Sequence, residues 1–111
     1  MAGTFEIFKD KAGSFRFRLK AANGQVILSS QGYASKASAM NGVKSVQNNA
    51  GDPARFEAGE SKGGKFTFSM IAKNKQVIGT SQSYASASGR DNGMKAVGRA
   101  AEGAKVVDQT A

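Results

Sequence analysis

The chain has 111 residues, 40% of them hydrophobic, with 16 basic and 8 acidic side chains, a formal net charge of +8, and neither Cys nor His. That length fits one compact domain or two intimately packed halves. The missing residue types exclude zinc fingers, disulfide scaffolds, haem ligation, thiol nucleophiles and every His-dependent triad. No basic segment leads into an apolar stretch after Met1, so no secretory signal is expected. The apolar runs are too short to span a membrane, and a Cys-free chain suits the reducing cytoplasm.

Taken in order, the elements repeat with a shift of 51 residues and no gap. Phe5-Glu6 falls on Phe56-Glu57, Phe15-Arg16-Phe17 on Phe66-Thr67-Phe68, and Gln25-Val26-Ile27 on Gln76-Val77-Ile78. The longest match sets Ser30-Gln31-Gly32-Tyr33-Ala34-Ser35 on Ser81-Gln82-Ser83-Tyr84-Ala85-Ser86, and Asn41-Gly42-Val43-Lys44 falls on Asn92-Gly93-Met94-Lys95. Residues 5–54 and 56–108 therefore read as two copies of one unit. A fifty-residue unit buries too little surface to offset its chain entropy, so the copies are expected to share one core.

Within each unit the hydrophobic period changes from two to about 3.6. Phe15, Phe17 and Leu19 alternate with Arg16, Arg18 and Lys20, as a half-buried strand requires, and Phe66, Phe68 and Met70 repeat the pattern. Ala22-Asn23-Gly24 offers a hairpin turn, with Lys73-Asn74-Lys75 in its place in the second copy. Leu28 becomes Gly79 while Ile27 and Ile78 both stay large, which predicts a three-residue loop with Ile opposite Leu19 or Met70. Ser35 and Ser86 read as helix N-caps. Beyond Ser35, Ala39, Met40, Val43, Val46 and Ala50 form one apolar stripe, and the helix is expected to end near Asn48-Asn49, before Gly51 and Pro53. The second helix has Arg90 and Asp91 where the first has Ala39 and Met40, so its first turn is expected to be more exposed. Arg55 to Glu60 opens the second unit as a strand, and Ala104 to Asp108 closes the chain as another. The expected fold is α+β: two tandem strand-strand-strand-helix repeats forming one pseudo-twofold antiparallel-sheet domain with two helices on one face.

Three segments carry a family resemblance: Phe15 to Gly24, Ser30 to Lys36 and Asn41 to Val46. Together they resemble the YegP-like family of small bacterial proteins over nearly the whole chain, in both copies. The resemblance implies two strand-strand-strand-helix motifs in one compact unit, and it implies no established biochemical function. The second copy departs from the pattern at Lys75, Gly79 and Ala87, so the copies need not be equivalent in activity.

Candidate sites are few. Ser30, Gln31, Tyr33 and Ser35, with Ser81, Gln82, Tyr84 and Ser86, precede the two helices and could hold an anion at the helix N-terminus. The structural alternative is that Ser caps the helix while Tyr packs at the corner with its hydroxyl bonded to backbone. Gly42 and Gly93 sit mid-helix, where Gly costs about 0.5–1 kcal/mol relative to Ala, which implies a close neighbour: a helix, a strand or a ligand. A helix break at Asn41-Gly42 is the alternative. Arg16, Arg18 and Lys20 should project from one strand, with Lys9 and Lys11 nearby, as a candidate polyanion surface. Only Lys11 with Lys62, and Lys44 with Lys95, are basic in both copies, and no exposed aromatics are expected among them. No catalytic, metal-binding or cofactor-binding motif is present. The leading expectation is a non-enzymatic, monomeric structural or protein-interaction module that recruits a partner at a sheet edge. Weak sequence-nonspecific nucleic-acid or polyanion binding is the alternative.

Overall fold

Strands β1 (Thr4–Lys9) and β2 (Phe15–Lys20) form a hairpin whose odd-numbered side chains face the core. The computed structural model describes residues 3–60, 63–73 and 75–110. Asp10 closes the first turn, its carboxylate accepting from the amides of Ala12 and Ser14. Strand β3 (Val26–Ser30) follows across the Ala22-Asn23-Gly24 turn, where Ala21 N–H donates to the Gln25 carbonyl and Gly24 adopts φ 84°. Helix α1 (Lys36–Asn49) starts at the Ser35 cap, whose hydroxyl accepts from Ser38 N–H. After a 3-10 turn at Pro53–Arg55, the second copy repeats the order with β4 (Phe56–Glu60), β5 (Phe66–Ile71), β6 (Val77–Thr80) and α2 (Ala87–Ala101). Ser86 caps α2 through Gly89 N–H. Strand β7 (Lys105–Asp108) ends the order.

All seven strands join one sheet in the order β4-β5-β6-β3-β2-β1-β7. The two copies meet at the antiparallel β3–β6 pair, where Ser29 lies opposite Thr80, its counterpart in the other copy. Both helices cover the face carrying Phe5, Ile7, Phe17, Leu19, Phe68 and Met70, and these join Val43, Val46 and Val97 in a single buried cluster. The copies therefore share one core. Met40 is only partly buried; Gly42 takes its place in the buried stripe of α1. In α2 the first buried position is Gly93, so its first turn is the more exposed one.

Two details differ from the sequence-based expectations. The loop has three residues, but Leu28, not Ile27, lies opposite Leu19, because Ile27 is the extra residue of a β-bulge between the Leu19–Leu28 and Lys20–Val26 pairs. Ile78 is inserted in the same way between the Met70–Gly79 and Ile71–Val77 pairs. The bulge lets adjacent residues both turn inward, and Ile27 and Leu28 are both buried. The sheet is also not wholly antiparallel, since β7 runs parallel to β1. The antiparallel place beside β2 is already held by β1, and the strand following α2 takes the outer edge of β1.

Lys75 carries φ 69° at the place of Gly24, a left-handed conformation costing an L-residue about 1–2 kcal/mol. Asn74, the other turn residue retained between copies, lies outside the described residues, as does Lys62.

The change from Leu28 to Gly79 is complementary packing at the seam. A β-carbon on Gly79 would stand 3.0 Å from Leu28 Cγ and 3.0 Å from the Ser29 carbonyl oxygen. One large and one absent side chain share a volume that two leucines would overfill. Leu28→Gly alone should therefore destabilise by at least the roughly 2–5 kcal/mol typical of a buried Leu→Ala change, and Gly79→Leu by about 1–3 kcal/mol through overpacking. The double swap should recover much of both losses. Urea unfolding of the four proteins measures this, and strictly additive losses would contradict it.

Candidate functional site

The best-repeated segment makes the same local contacts in both copies. Ser30 Oγ accepts from Phe17 N–H at 2.9 Å and donates to the Gln31 carbonyl at 2.8 Å; Ser81 does the same with Phe68 N–H and the Gln82 carbonyl at 2.9 and 2.7 Å. Each hydroxyl completes the ladder where the strand peels away toward its helix. Tyr33 then exchanges both backbone bonds with Phe15, and Tyr84 with Phe66. The Tyr33 ring stacks on Phe17 with centroids 6.3 Å apart and planes at 17°; Tyr84 on Phe68 gives 6.3 Å and 14°. Burial pushes the Tyr33 phenol above its ordinary range. Among the described residues neither tyrosine hydroxyl makes a hydrogen bond, contrary to the expected bond to backbone. Each instead lies over the glycine of its helix.

That contact explains the mid-helix glycines, and neither helix breaks there. A β-carbon on Gly42 would lie 2.7 Å from both Phe17 Cε2 and Tyr33 Oη, and one on Gly93 would lie 2.7 Å from Tyr84 Cζ and 3.1 Å from Phe68 Cε2. The close neighbour is the tyrosine-phenylalanine stack. Gln31 and Gln82 are exposed beside these motifs, and Ser35 and Ser86 spend their hydroxyls on helix amides.

The structure does not bring the six candidate polyanion residues together. Arg16, Arg18 and Lys20 lie on the sheet face away from the helices, Lys44 and Lys95 are exposed on helices covering the other face, and Lys11 sits in the β1–β2 turn. The strand row is largely paired. Arg16 meets Asp10 at 2.6 Å, while Arg18 and Lys20 share Glu6 at 2.7 and 3.3 Å. The Arg18 guanidinium, with Lys20 adding to it, holds the Glu6 carboxyl below its usual range against the opposing effect of burial. Arg18 also lies over the Phe8 ring at 4.6 Å and Lys9 over Phe15 at 5.4 Å. Phe8 thus belongs to the polar face; its even position in β1 is the signal that could have separated it from the core phenylalanines. Among the described residues, no group of three His, Cys, Asp or Glu side chains could hold a metal ion, and no helix is long and apolar enough to cross a membrane.

The two ends of the sheet differ. At one end β7 covers β1: Gln109 N–H donates to the Ile7 carbonyl at 2.8 Å, and Lys36 pairs with Asp108. At the other end β4 is the last strand. Phe66 gives both backbone groups to Tyr84, and Phe68 bonds with Ser81 on the same side. Their opposite numbers Glu60 and Ala58, and by alternation Phe56, therefore turn their backbone groups outward. Ile7 is fully buried, whereas Ala58, its counterpart, is exposed. Beside this edge opens a cleft of about 740 Å³ lined by Ala50, Phe56, Met94 and Gly98, with Lys95, Arg99 and Glu102 also on its wall. Sequence alternation marked β4 as a strand but carried no sign that its outer edge stays open, because that depends on where the strand after α2 docks.

A profile described as a domain of unknown function, DUF1508, matches the chain twice, at residues 10–57 and 61–108. The chain belongs to the DUF1508 family. Each matched segment begins between the first two strands of a copy and runs through a helix to the strand after it, so the family's unit is offset from the repeats 5–54 and 56–108 expected from the sequence. A UPF0339 protein encoded in the ptx operon 5′ region of Stutzerimonas stutzeri is 57% identical over 108 residues, 97% of either chain. The UPF0339 protein YegP of Escherichia coli K12 is 46% identical over 97 residues, 87% of this chain and 88% of that one. The solution NMR structure of yegP from E. coli, a protein of unknown function, superposes with a TM-score of 0.94 at 44% identity, covering 99% of this chain and 95% of that one. A UPF0339 protein from Shewanella oneidensis gives 0.93, also at 44% identity. These DUF1508 relatives bear out the tandem α+β architecture, and none carries a functional or enzymatic name.

Two outcomes follow for the DUF1508 site residues. Gly93→Ala should destabilise the protein by about 1–3 kcal/mol through overpacking, despite its gain in helix propensity. Removing the Tyr84 hydroxyl with Tyr84→Phe in that background should recover part of the loss in thermal melts. The second outcome concerns β7. Asp108 is lowered from 3.8 to about 2, chiefly by its bond to Lys36. A depressed acid stabilises the fold above its unfolded pKa and loses that contribution as pH falls through the folded value. Amide exchange of β7, corrected for intrinsic rate, should therefore quicken between about pH 4 and pH 2, and Asp108→Asn should flatten this step.

Proposed function

We propose that this protein is a non-enzymatic, cytoplasmic interaction module that binds a protein partner by strand addition along the open edge of β4. The observation that carries the reading is the asymmetry of a duplicated sheet. One terminal strand is covered by β7, while its counterpart presents the outward backbone groups of Phe56, Ala58 and Glu60 beside an apolar cleft. Unpaired strand edges recruit extended segments through main-chain hydrogen bonds, and an adjacent pocket supplies selectivity. The duplicated residues support a scaffold role, since Ser30, Tyr33, Ser35, Gly42 and their counterparts all serve folding. A chain without His or Cys leaves acid-base work to carboxylates, Lys or Tyr, and none of these falls in a recognised catalytic motif of the sequence.

The free protein should be a monomer. An antiparallel pairing of two β4 edges would crowd Glu57 and Glu60 of both copies onto one ribbon, and like charges across strands repel.

Ala58→Pro tests the edge. Its N–H points outward, so proline there deletes an edge donor while sparing the β4–β5 ladder. Affinity enrichment from a cytoplasmic extract should return specific proteins with the parent chain and lose them with Ala58→Pro, whose melting temperature should stay within a few degrees of the parent's. The same proteins retained by the variant, or none retained by either, would defeat the reading.

A further inference from the structure

We infer that the occupant of the β4 edge is an extended segment of a partner protein lying parallel to β4, with an apolar side chain over the cleft and a basic side chain beside Glu57. This rests on the edge reading above and adds direction and chemistry to it. The direction comes from the covered end of the sheet, where β1, the counterpart of β4, takes β7 in parallel with Phe5 beside Val106 and Glu6 beside Val107. Carried through the shift of 51 residues, that register sets one residue of the occupant beside Phe56 and the next beside Glu57. Alternation sends the first toward the helix side, where the cleft lies between Phe56, Met94 and Gly98. In the covered half Ala100, Ala101 and Ala104, at the end of α2 and just before β7, are all buried.

The charge follows from what surrounds each glutamate. Glu6 is neutralised by Arg18 and Lys20, so the strand beside it can afford Val107. In the second copy those cations are replaced by Ser69 and Ile71, and Glu57 lies opposite Ser69. Glu57 and Glu60 are both exposed, and neither forms an ion pair among the described residues. A strand laid along this edge brings Glu57 a partly desolvated environment, in which an arriving Lys or Arg is attracted and an arriving Asp or Glu is repelled. The same two carboxylates turn away a second copy of β4.

The probe is a synthetic peptide with the sequence of residues 103–110, carrying either Val107→Lys or Val107→Glu, titrated into isotopically labelled protein. The lysine peptide should shift the amides of Phe56, Ala58, Glu60 and Gly98 and bind about five- to tenfold more tightly than the glutamate peptide. Glu57→Lys in the protein should reverse that order. A nitroxide on the N-terminus of the peptide should broaden resonances near Phe56 rather than Glu60. Equal affinity for both peptides overturns the charge assignment, and broadening at Glu60 overturns the parallel one; in both cases shifts confined to β4 leave the edge reading standing. If no β4 amide moves with either peptide while Ala58→Pro still abolishes capture, the chemistry inferred for the occupant is wrong and the edge survives. Shifts of β4 that follow protein concentration without peptide would assign the edge to a second copy and overturn the inference.

Discussion

Neither repeat can bury its own apolar face, and the rest of the structure is arranged around that shortage. Each unit supplies one helix and a few short strands, three in the first and four in the second, too little to close a core alone. The solution is a continuous sheet joined at β3 and β6, with Phe5, Phe17 and Leu19 of one copy and Phe68 and Met70 of the other under a common helical layer. The seam is short, Ser29 with Thr80 and Ser30 with Gly79, so side-chain packing across it matters more than its backbone bonds. Leu28 fitted over Gly79 is the clearest instance.

Much of this was legible in the residues, for physical reasons that can be named. Strand alternation at Phe15 to Lys20 survives because one face is buried and the other is polar. The caps at Ser35 and Ser86 were legible because helix amides need an acceptor wherever a helix begins. The mid-helix glycines announced a close neighbour, although only the structure identifies it as the stacked Tyr and Phe rings. The bulges at Ile27 and Ile78 escaped because two adjacent inward residues look the same as one inward and one outward residue in a chain of aliphatics. Phe8 escaped because its cation partner, Arg18, comes from the neighbouring strand.

The candidate site divides along the same line. The repeated Ser, Tyr and Gly residues were visible as positions, and the contacts they make in the fold are local ones. The asymmetry between the two sheet ends was not visible, since it arises from a docking choice made by residues near the end of the chain. Position 58 did carry a trace of it: Ile7 becomes Ala58, a loss of bulk where no neighbouring strand covers the residue. The substitution of Arg18 and Lys20 by Ser69 and Ile71 read first as evidence against a duplicated basic patch. In the folded protein it also leaves Glu57 without the cations that neutralise Glu6.

The hairpin at Lys75 bears on how the molecule breathes. A lysine held at φ 69° stores strain where its counterpart Gly24 holds none. Among the described residues no strand lies outside β4 either, so both weaknesses fall on the same half of the sheet. Local opening should concentrate in β4 to β6, while β1 to β3 hold until global unfolding. A partner seated on β4 would tie down the looser half, so its arrival would register as a narrowing of the protein's own fluctuations.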